Sequence, residues 1–445
     1  MTPVDLGARR DADDPAAPAI VNGLLTSDFP TTGVLLSGSN PETAIAWCSG
    51  TLIGCGTFLT AAHCVCETNG AGCQSGPGAP DPGDWLVFFQ HAGFFAVESV
   101  AVRTDFAFPV ADVAVLRLAA PVAGVAPTPL PAGAPPFGTP GTIVGFGRSG
   151  GSSGDYGLKR FGEVVTASCT GVISNTTSVC WDFASPVGAP GTDSNTCNAD
   201  SGGPLFVDLG AGEVVAGVTS GGSSSSCLAL DHSYDANVFH YASWIQGQGG
   251  ADLASARCGG LAQVGEPGAR VQGFTGSVSG PSPEGRHTIE VPAGATLLRV
   301  SMNASEEGRN DFDLYVRAGS PPTTSSFDCA AAGANQWGFC EFDAPAPGTW
   351  HVLVRRSKGD GVWQTTTTLF LPECANGIDD DGDGGIDWDG DPQGLGDGPA
   401  PADPTCAGRA AFDREARKTC GLGFELAAIL PALVALRSRG RRRGR

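Results

Sequence analysis

The sequence predicts a mainly β protein that is rich in loops, and three observations support this prediction. Its apolar residues occur in short runs, its 445 residues include 66 glycines and 33 prolines, and no long stretch repeats with a helical period. Residues 52–59 and 112–118 are typical of such runs and predict buried strands. The length is sufficient for roughly two to four domains with a sizeable core.

Residues 196–204, with the sequence TCNADSGGP, form the most informative stretch of the chain. Ser201 is followed by two glycines and a proline, which indicates a tight bend where its hydroxyl is exposed and a substrate backbone can approach. A serine hydroxyl is a weak nucleophile and needs a base that a third group orients. The upstream sequence is therefore expected to supply both groups.

Two upstream motifs supply these groups. His63 stands in the sequence TAAHC at the end of an apolar run, and Asp112 begins a strand of alternating apolar residues. In the order His63, Asp112 and Ser201, residues 20–247 resemble the trypsin/chymotrypsin-like serine proteases. The resemblance implies two six-stranded antiparallel barrels, a catalytic site between them, and protein or peptide substrates.

The resemblance also implies a mechanism without a cofactor. His63 takes the proton of Ser201, Asp112 orients the imidazole, and Ser201 forms an acyl-enzyme, while the backbone N–H groups of Ala199 and Ser201 hold the oxyanion. The family has glycine where Ala199 stands, so we expect backbone strain there. The alternative is a non-catalytic adhesin or binding protein built on a protease fold.

The resemblance places the specificity pocket around Asn195, Ser220 and Gly222. Trypsins carry aspartate at the position of Asn195, and a substrate arginine or lysine left without a carboxylate would be costly to bury. We therefore expect basic specificity to be absent or weak. Gly221 replaces the usual tryptophan of the family.

A zymogen is expected from the sequence IVNG at residues 20–23, which resembles the new N-terminus that activation creates in the family. The freed ammonium of Ile20 would pair with Asp200. Ala19 precedes the cleavage point, so the activating enzyme would not be trypsin-like. Residues 1–19 form the expected pro-segment.

The composition favours a secreted protein. The formal net charge of −20 argues against nucleic-acid binding, and 15 cysteines indicate an oxidising compartment. The first residues do not resemble a signal peptide, which conflicts with the oxidising compartment that the cysteines indicate. We follow the cysteines and expect secretion. The family resemblance implies the disulfides Cys48–Cys64, Cys169–Cys180 and Cys197–Cys227.

Other cysteines leave alternatives open. Cys55, Cys66, Cys73 and Cys258 can form two bridges of unknown connectivity, and a zinc site at Cys64, Cys66 and Cys73 is a less favoured alternative. If Cys329 pairs with Cys340 and Cys374 with Cys406, only Cys420 is left over.

Beyond a Gly/Ala-rich linker at 248–268, residues 269–371 again show strand-like alternation. The motifs at 311–317 and 347–354 resemble the bacterial pre-peptidase C-terminal domain, which implies a small β-sandwich with an accessory role. The alternative is a generic immunoglobulin-type sandwich.

Residues 372–406 form an acidic spacer in which aspartates alternate with other residues. The proposed calcium ligands are Asp379, Asp381, Asp383 and Asp387, because oxygen ligands at this spacing can wrap one ion. The glutamate of a true EF-hand is missing, so the segment is closer to thrombospondin-like acidic repeats. The alternative is a solvated acidic spacer.

Residues 407–445 contain a short apolar run, expected to form a hydrophobic helix, followed by an arginine cluster. They resemble bacterial C-terminal sorting tails, which implies a sorting protease as partner and secretion or surface display of a monomer. A plain membrane anchor is the alternative.

Overall fold

The computed structural model describes residues 20–66, 73, 79–151, 153–184, 189–306, 310–380, 385–387, 401–403, 406 and 410. The expected pro-segment at 1–19, Asp381, Asp383, Cys420 and nearly all of the C-terminal tail lie outside these residues. The chain divides into two compact units, Met1–Val291 with Leu297–Phe370, and Pro292–Thr296 with Leu371–Arg445.

The first half of the larger unit is a closed antiparallel barrel of six strands. After a short strand β1 (Leu24–Leu25), these are β2 (Thr32–Ser37), β3 (Ile45–Gly54), β4 (Thr57–Thr60), β5 (Trp85–Phe89), β6 (Gly93–Val102) and β7 (Ala114–Leu118). The barrel closes in the order β2-β3-β4-β7-β6-β5, so none of its strands has a free edge. Phe58, Leu116 and Phe89 are buried in its core.

A second barrel follows, as the sequence predicted. Its strands are β8 (Pro140–Gly145), β9 (Arg160–Ala167), β10 (Ser178–Phe183), β11 (Pro204–Asp208), β12 (Glu213–Gly222) and β13 (Asp231–Asn237). They are ordered β9-β10-β13-β12-β11-β8, the β8–β9 pairing closes the ring, and β1 is added outside β9. Strands β12 and β13 pair with Gly222 opposite Ser233 and a bulge between Thr219 and Gly221.

One α-helix occurs in the described residues, α1 (Val238–Gly249), and it begins where β13 ends. Asn237 caps it, because its side chain accepts hydrogen bonds from the N–H groups of Phe239 and His240. Tyr241 of α1 is buried, and its hydroxyl accepts a hydrogen bond from the N–H of Ala111, next to Asp112. The helix therefore connects the second barrel to the Asp112 loop of the first.

The segment 248–268, expected to be a linker, is fixed along the first barrel. It contains a 3₁₀ turn (Gly250–Ala254), and the Asp252 carboxylate accepts hydrogen bonds from the Gly56 N–H and the Thr57 hydroxyl at 2.9 and 2.6 Å. A disulfide joins Cys258 to Cys55. These contacts hold the start of the C-terminal region against the protease half of the unit.

A β-sandwich of two four-stranded antiparallel sheets completes the larger unit. One sheet is ordered β14-β21-β16-β19 and the other β15-β20-β17-β18. The strands are β14 (Ala269–Val278), β15 (Glu284–Val291), β16 (Leu297–Ala304), β17 (Asp311–Ala318), β18 (Cys329–Ala331), β19 (Gly338–Asp343), β20 (Gly348–Lys358) and β21 (Gly361–Phe370). The Cys329–Cys340 disulfide joins the two sheets.

The sandwich packs against the first barrel through a shared apolar cluster. Trp337, 3% exposed, belongs to the sandwich, and its ring centroid lies 5.3 Å from that of Phe88 and 6.3 Å from that of Phe146. Val34 and Leu36 of β2 belong to the same cluster. The sandwich therefore shares an apolar cluster with the first barrel rather than standing apart from it.

Buried polar contacts accompany this apolar cluster. The Asn303 amide donates to the carbonyl of Gly157 at 2.9 Å and accepts from the Gln90 amide at 3.0 Å. The Glu306 carboxylate accepts from the N–H of Ala46 at 2.8 Å, and the Arg299 guanidinium donates to the carbonyl of His91 at 3.2 Å. Because a buried polar group is costly without its partner, separating the sandwich from the barrel would be strongly unfavourable.

The smaller unit is held by the Cys374–Cys406 disulfide. It contains a 3₁₀ turn (Glu373–Ala375), and the N–H of Asp403 donates to the carbonyl of Asp387 at 2.8 Å. Within the described part of the chain, no helix has the length and apolar character needed to cross a membrane.

The packing of Trp337 gives a testable prediction for stability. We expect Trp337→Ala to lower the free energy of unfolding by about 3–5 kcal/mol, because it removes a large buried side chain from a cluster that both domains share. Denaturant unfolding followed by circular dichroism measures this change. Phe137→Ala is the control, since Phe137 is 63% exposed and its loss should change stability by less than about 0.5 kcal/mol. Equal effects of the two substitutions would contradict the shared core.

Candidate active site

His63 and Asp112 meet at the open end of the first barrel. His63 lies in the 3₁₀ turn Ala62–Cys64 that follows β4, and Asp112 lies just before β7, the strand that pairs with β4. The His63 Nδ1 lies 2.7 Å from the Asp112 Oδ2, and the backbone N–H of His63 donates to the Asp112 Oδ1 at 2.9 Å. Two bonds to one carboxylate fix both the position and the orientation of the imidazole.

The second barrel contributes the third donor to this carboxylate. The Ser220 hydroxyl, on β12, donates to the Asp112 Oδ2 at 2.6 Å. Asp112 is fully buried, and no basic side chain other than His63 forms an ion pair with it among the described residues. The carboxylate is therefore stabilised by donors from both barrels, and His63, 20% exposed in its side chain, faces the cleft.

The Ser201 loop is fastened to the His63 side of the cleft. The carbonyl of Ser201 accepts from the N–H of Ser49 at 2.8 Å and lies 3.6 Å from the Sγ of Cys64, the residue after His63. Gly202 has φ +82°, and a Cβ there would lie 2.0 Å from the Thr60 hydroxyl. Only glycine can occupy that position, which explains the first glycine after the serine.

Disulfides pin the loops around the site. The structure joins Cys48 to Cys64, Cys169 to Cys180 and Cys197 to Cys227, the three pairs that the family resemblance implied. The Cys48–Cys64 bridge flanks His63, and Cys197 lies four residues before Ser201. The expected Cys374–Cys406 and Cys329–Cys340 pairs are also bonded.

The open alternatives for the remaining cysteines are resolved in favour of disulfides. Cys55 bonds to Cys258 and Cys66 bonds to Cys73. The zinc alternative required thiolates at Cys64, Cys66 and Cys73, but all three sulfurs are in disulfides. That alternative is therefore wrong.

Ala199 adopts the strained conformation that the sequence predicted, with φ +73°. Neither its N–H nor that of Ser201 donates to an acceptor among the described residues. Two free N–H groups at a half-buried bend are suited to bind a negatively charged oxygen.

Asp200 lies fully buried behind this bend. Its carboxylate accepts from the N–H groups of Gly147 and Cys197 at 2.7 and 2.9 Å. Burial raises the pKa of Asp200 to about 7, while these two donors and the Arg160 guanidinium oppose the rise. Arg160, 2% exposed, also pairs with Asp155 at 3.6 Å. Sequence reasoning missed this internal cation.

Residues 20–22 pack beside residues 192–195, the segment that leads to Ser201. Ile20 is fully buried, and Val21 forms a β-bridge with Asn195. The Asn22 amide donates to the carbonyl of Thr192 at 2.6 Å. The stretch expected to control activation therefore braces the segment that leads to Ser201.

Asn195 is completely buried with every hydrogen-bonding position used. Its Oδ1 accepts from Trp181 and Ser233 at 3.1 and 2.6 Å, and its Nδ2 donates to the carbonyl of Cys227 at 3.0 Å and to the Asp231 carboxylate at 2.9 Å. The Asp231 carboxylate on β13 is thus a buried neighbour of Asn195, and the expected lack of basic specificity stays a prediction. The sequence argument counted back six residues from Ser201 to reach Asn195. It could therefore not find Asp231, which follows Ser201 in the chain.

Tyr234 takes the space beside Gly221, where the family has tryptophan. A Cβ on Gly221 would lie 2.7 Å from the Tyr234 hydroxyl. Burial raises the pKa of Tyr234, and the charges of Asp112 and Asp231 raise it further. This tyrosine therefore lies near both carboxylates, and only the pairing of β12 with β13 brings it there.

Comparison with known families agrees with this geometry. The family model described as Trypsin matches residues 25–245. This region is a trypsin-family domain. A second model, the bacterial pre-peptidase C-terminal domain, matches residues 285–356, inside the β-sandwich. The chain thus contains a trypsin-family domain followed by a pre-peptidase C-terminal domain, and both resemblances seen in the sequence are confirmed.

Curated relatives match only a small part of the chain. A zinc metalloprotease of Helicobacter pylori is 36% identical over 95 residues, which are 21% of this chain and 34% of that protein. The hemagglutinin/proteinase of Vibrio cholerae is 36% identical over 95 residues, 21% of this chain and 14% of that protein. Xanthomonalisin of a Xanthomonas strain is 48% identical over 44 residues, 10% of this chain and 5% of that protein. The chain spans about a third or less of these relatives, and the metalloprotease matches lie in the pre-peptidase C-terminal region rather than the trypsin-family domain.

The strain at Ala199 gives a testable prediction for this trypsin-family domain. We expect Ala199→Gly to raise the free energy of unfolding by about 0.5–1 kcal/mol, because glycine adopts a positive φ without the cost of a Cβ. Thermal and denaturant unfolding measure the change. The control is Ala101→Gly on β6, where φ is not positive and glycine should destabilise by a similar amount. A loss of stability at both positions would contradict strain at Ala199.

Proposed function

We propose that this protein is a serine endopeptidase that hydrolyses peptide bonds through His63, Asp112 and Ser201. The observation that carries the proposal is the buried Asp112 carboxylate, which holds the His63 ring at 2.7 Å on the side of the cleft where the Ser201 loop is fastened. The trypsin-family match supports the same reaction class.

The Asp112 contacts support a defined role for each imidazole nitrogen. Since Nδ1 donates to the carboxylate, the neutral ring has its proton on that nitrogen and leaves Nε2 as an acceptor for the Ser201 hydroxyl. Ser201 then attacks the substrate carbonyl while His63 takes its proton. The Asp112 charge stabilises the imidazolium that forms, and the imidazolium returns the proton to the leaving amine.

The N–H groups of Ala199 and Ser201 stabilise the oxyanion of the tetrahedral intermediate in this proposal. Both N–H groups lie in a bend that hydrogen bonds hold in place. The Ala199 carbonyl, for example, accepts from the Ser49 hydroxyl at 3.0 Å. Donors held in place before the reaction cost no reorganisation when the charge develops.

Labelling with a fluorophosphonate probe tests the proposal. We expect the probe to modify Ser201, and Ser201→Ala to abolish labelling and to lower peptide hydrolysis by at least about 10⁴-fold. Ser168→Ala, at an exposed serine of the same domain, should leave both unchanged. A folded protein that resists the probe and cleaves no peptide in a broad library would instead support the non-catalytic binding protein.

The names of the partial relatives suggest a second control. A zinc chelator such as 1,10-phenanthroline should leave peptide hydrolysis unchanged, because the proposed mechanism uses no metal. Complete inhibition that added zinc reverses would contradict a serine mechanism.

We further propose that the protein acts outside the cytoplasm. Seven disulfides within the described residues need an oxidising compartment to form and persist. The pre-peptidase C-terminal match supports secretion. Surface display or processing by a sorting protease rests on the sequence of residues 407–445 alone.

Calcium binding by the acidic spacer is also a proposal. Of its expected ligands, Asp379 and Asp387 lie in the described residues, and the Asp387 Oδ2 accepts from the N–H of Gly377 at 2.7 Å, which closes the loop. Asp387 and Asp403 are both buried, and buried carboxylates are suited to meet a hard cation. Sequence reasoning missed Asp403.

Calcium binding predicts a shift in thermal stability. Adding Ca²⁺ should raise the melting temperature of the protein, because an ion that binds only the folded state stabilises it by mass action. Asp387→Asn should remove most of this shift, whereas Asp343→Asn, at an exposed acidic residue of the sandwich, should preserve it. An equal shift in all three proteins would contradict a site at Asp387.

A further inference from the structure

Residues 145–147, at the end of β8, hold the nucleophile bend (residues 199–201) from below. A Cβ on either Gly145 or Gly147 would collide with the Asp200 carboxylate, so this segment lies directly against it. The Gly147 N–H donates to the Asp200 Oδ1 at 2.7 Å. Phe146, between the two glycines, is fully buried. The position of Phe146 therefore fixes a donor to the carboxylate next to the nucleophile.

Ser49 of β3 connects this segment to the rest of the bend. The Phe146 N–H donates to the Ser49 hydroxyl oxygen at 3.0 Å, and the same hydroxyl donates to the Ala199 carbonyl at 3.0 Å. The Ser49 N–H donates to the Ser201 carbonyl at 2.8 Å. Ser49 thus fixes the backbone of both residues whose N–H groups would hold the oxyanion, and Phe146 fixes the Ser49 hydroxyl.

The side chain of Phe146 is covered by the sandwich. The ring centroids of Phe146 and Trp337 lie 6.3 Å apart with their planes inclined at 57°. Trp337 is 3% exposed, and among the described residues all other members of this apolar cluster belong to the protease half. Removing the indole would leave Phe146 beside a cavity, and buried side chains move to fill such a space.

A second contact with the sandwich reaches the same segment through Gly157. The Gly157 N–H donates to the Phe146 carbonyl at 2.7 Å, and the Gly157 carbonyl accepts from the Asn303 amide at 2.9 Å. Gly157 has φ +97°, and a Cβ there would lie 2.5 Å from the Ala304 carbonyl oxygen. Only glycine allows the sandwich backbone to approach this closely. The sandwich therefore supports Phe146 at both its ring and its carbonyl.

We propose that the sandwich positions the nucleophile bend and that Trp337 is the positioning residue. The proposal rests on the proposed peptidase function and goes beyond it, because it gives the C-terminal domain a part in the reaction at Ser201. Trp337 packs on Phe146, Phe146 bonds to Ser49, and Ser49 holds the bend. A displacement of about 1 Å at a reacting group can cost about 10²-fold in rate, so a small shift of Phe146 lowers kcat.

Trp337→Ala tests the proposal against a matched control in the same sandwich. Trp350→Ala removes a tryptophan that is 5% exposed and packs on Phe342 within the sandwich, with ring centroids 4.6 Å apart. Both variants are assayed below their melting temperatures, and the folded fraction is measured by circular dichroism. We expect Trp337→Ala to lower kcat per folded molecule on a peptide substrate by about 10–100-fold and to change KM by less than about threefold. Trp350→Ala should change neither.

A conservative variant separates positioning from a loss of folded protein. Trp337→Phe keeps an aromatic ring against Phe146 and should restore kcat to within about threefold of the wild-type value. Recovery of stability without recovery of kcat would contradict the path through Phe146.

Hydrogen exchange tests the same path without catalysis. We expect the N–H groups of Ser49, Phe146 and Gly147 to exchange at least about 10-fold faster in Trp337→Ala than in Trp350→Ala, because only the first substitution loosens this segment. The N–H groups of β10, which has no contact with Trp337, should exchange at similar rates in the two variants. This measurement supports or refutes the positioning role whether or not Ser201 reacts.

Three outcomes would overturn the role of the sandwich. One is a Trp337→Ala variant with the wild-type kcat per folded molecule. Another is an equal loss of kcat in the two tryptophan variants, which indicates that the sandwich contributes stability alone. The third is unchanged protection of Ser49 and Phe146 in Trp337→Ala. A wild-type protein that cleaves no peptide and resists fluorophosphonate refutes the peptidase function instead, and the exchange rates then decide the positioning role.

Discussion

The buried Asp112 carboxylate is the constraint on which the site depends. An ionised group without solvent must be met by donors, and Asp112 receives two from His63 and one from Ser220. His63 and Asp112 belong to the first barrel and Ser220 to the second. The two barrels must therefore meet in one arrangement, and the same arrangement orients the imidazole toward the cleft.

Other buried charges around the cleft follow the same principle. Asp200 is met by two backbone N–H groups and lies near Arg160, while Asp231 is met by an amide, a hydroxyl and a backbone N–H. The two carboxylates differ in whether a basic side chain lies near them. Arg160 lies near Asp200, whereas no basic side chain forms an ion pair with Asp231 among the described residues.

The sandwich extends this organisation beyond the protease half. Trp337 completes an apolar cluster of the first barrel, and Asn303 bonds to both Gln90 and Gly157. An appended domain that merely tethered the protease would not need buried polar contacts with it. We therefore regard the sandwich as a structural part of the larger unit.

The sequence by itself determined the features that local patterns encode. Short apolar runs predicted β structure. The motifs of His63, Asp112 and Ser201, in that order, resemble the trypsin-like family, and this resemblance implied two barrels and strain at Ala199, where the family carries glycine. These features depend on residues close in the chain or on motifs in a recognisable order.

Only the tertiary structure decided which distant groups meet. Asp231 lies 36 residues from Asn195, and the fold brings the two side chains to 2.9 Å from each other. Cys258 lies 203 residues from Cys55, and its partner could not be chosen from spacing. Arg160 carries no motif that links it to Asp200. Contacts of this kind depend on the register of strands in closed barrels, which no local sequence pattern specifies. The partner of a buried charge or cysteine is therefore known only once the fold is known.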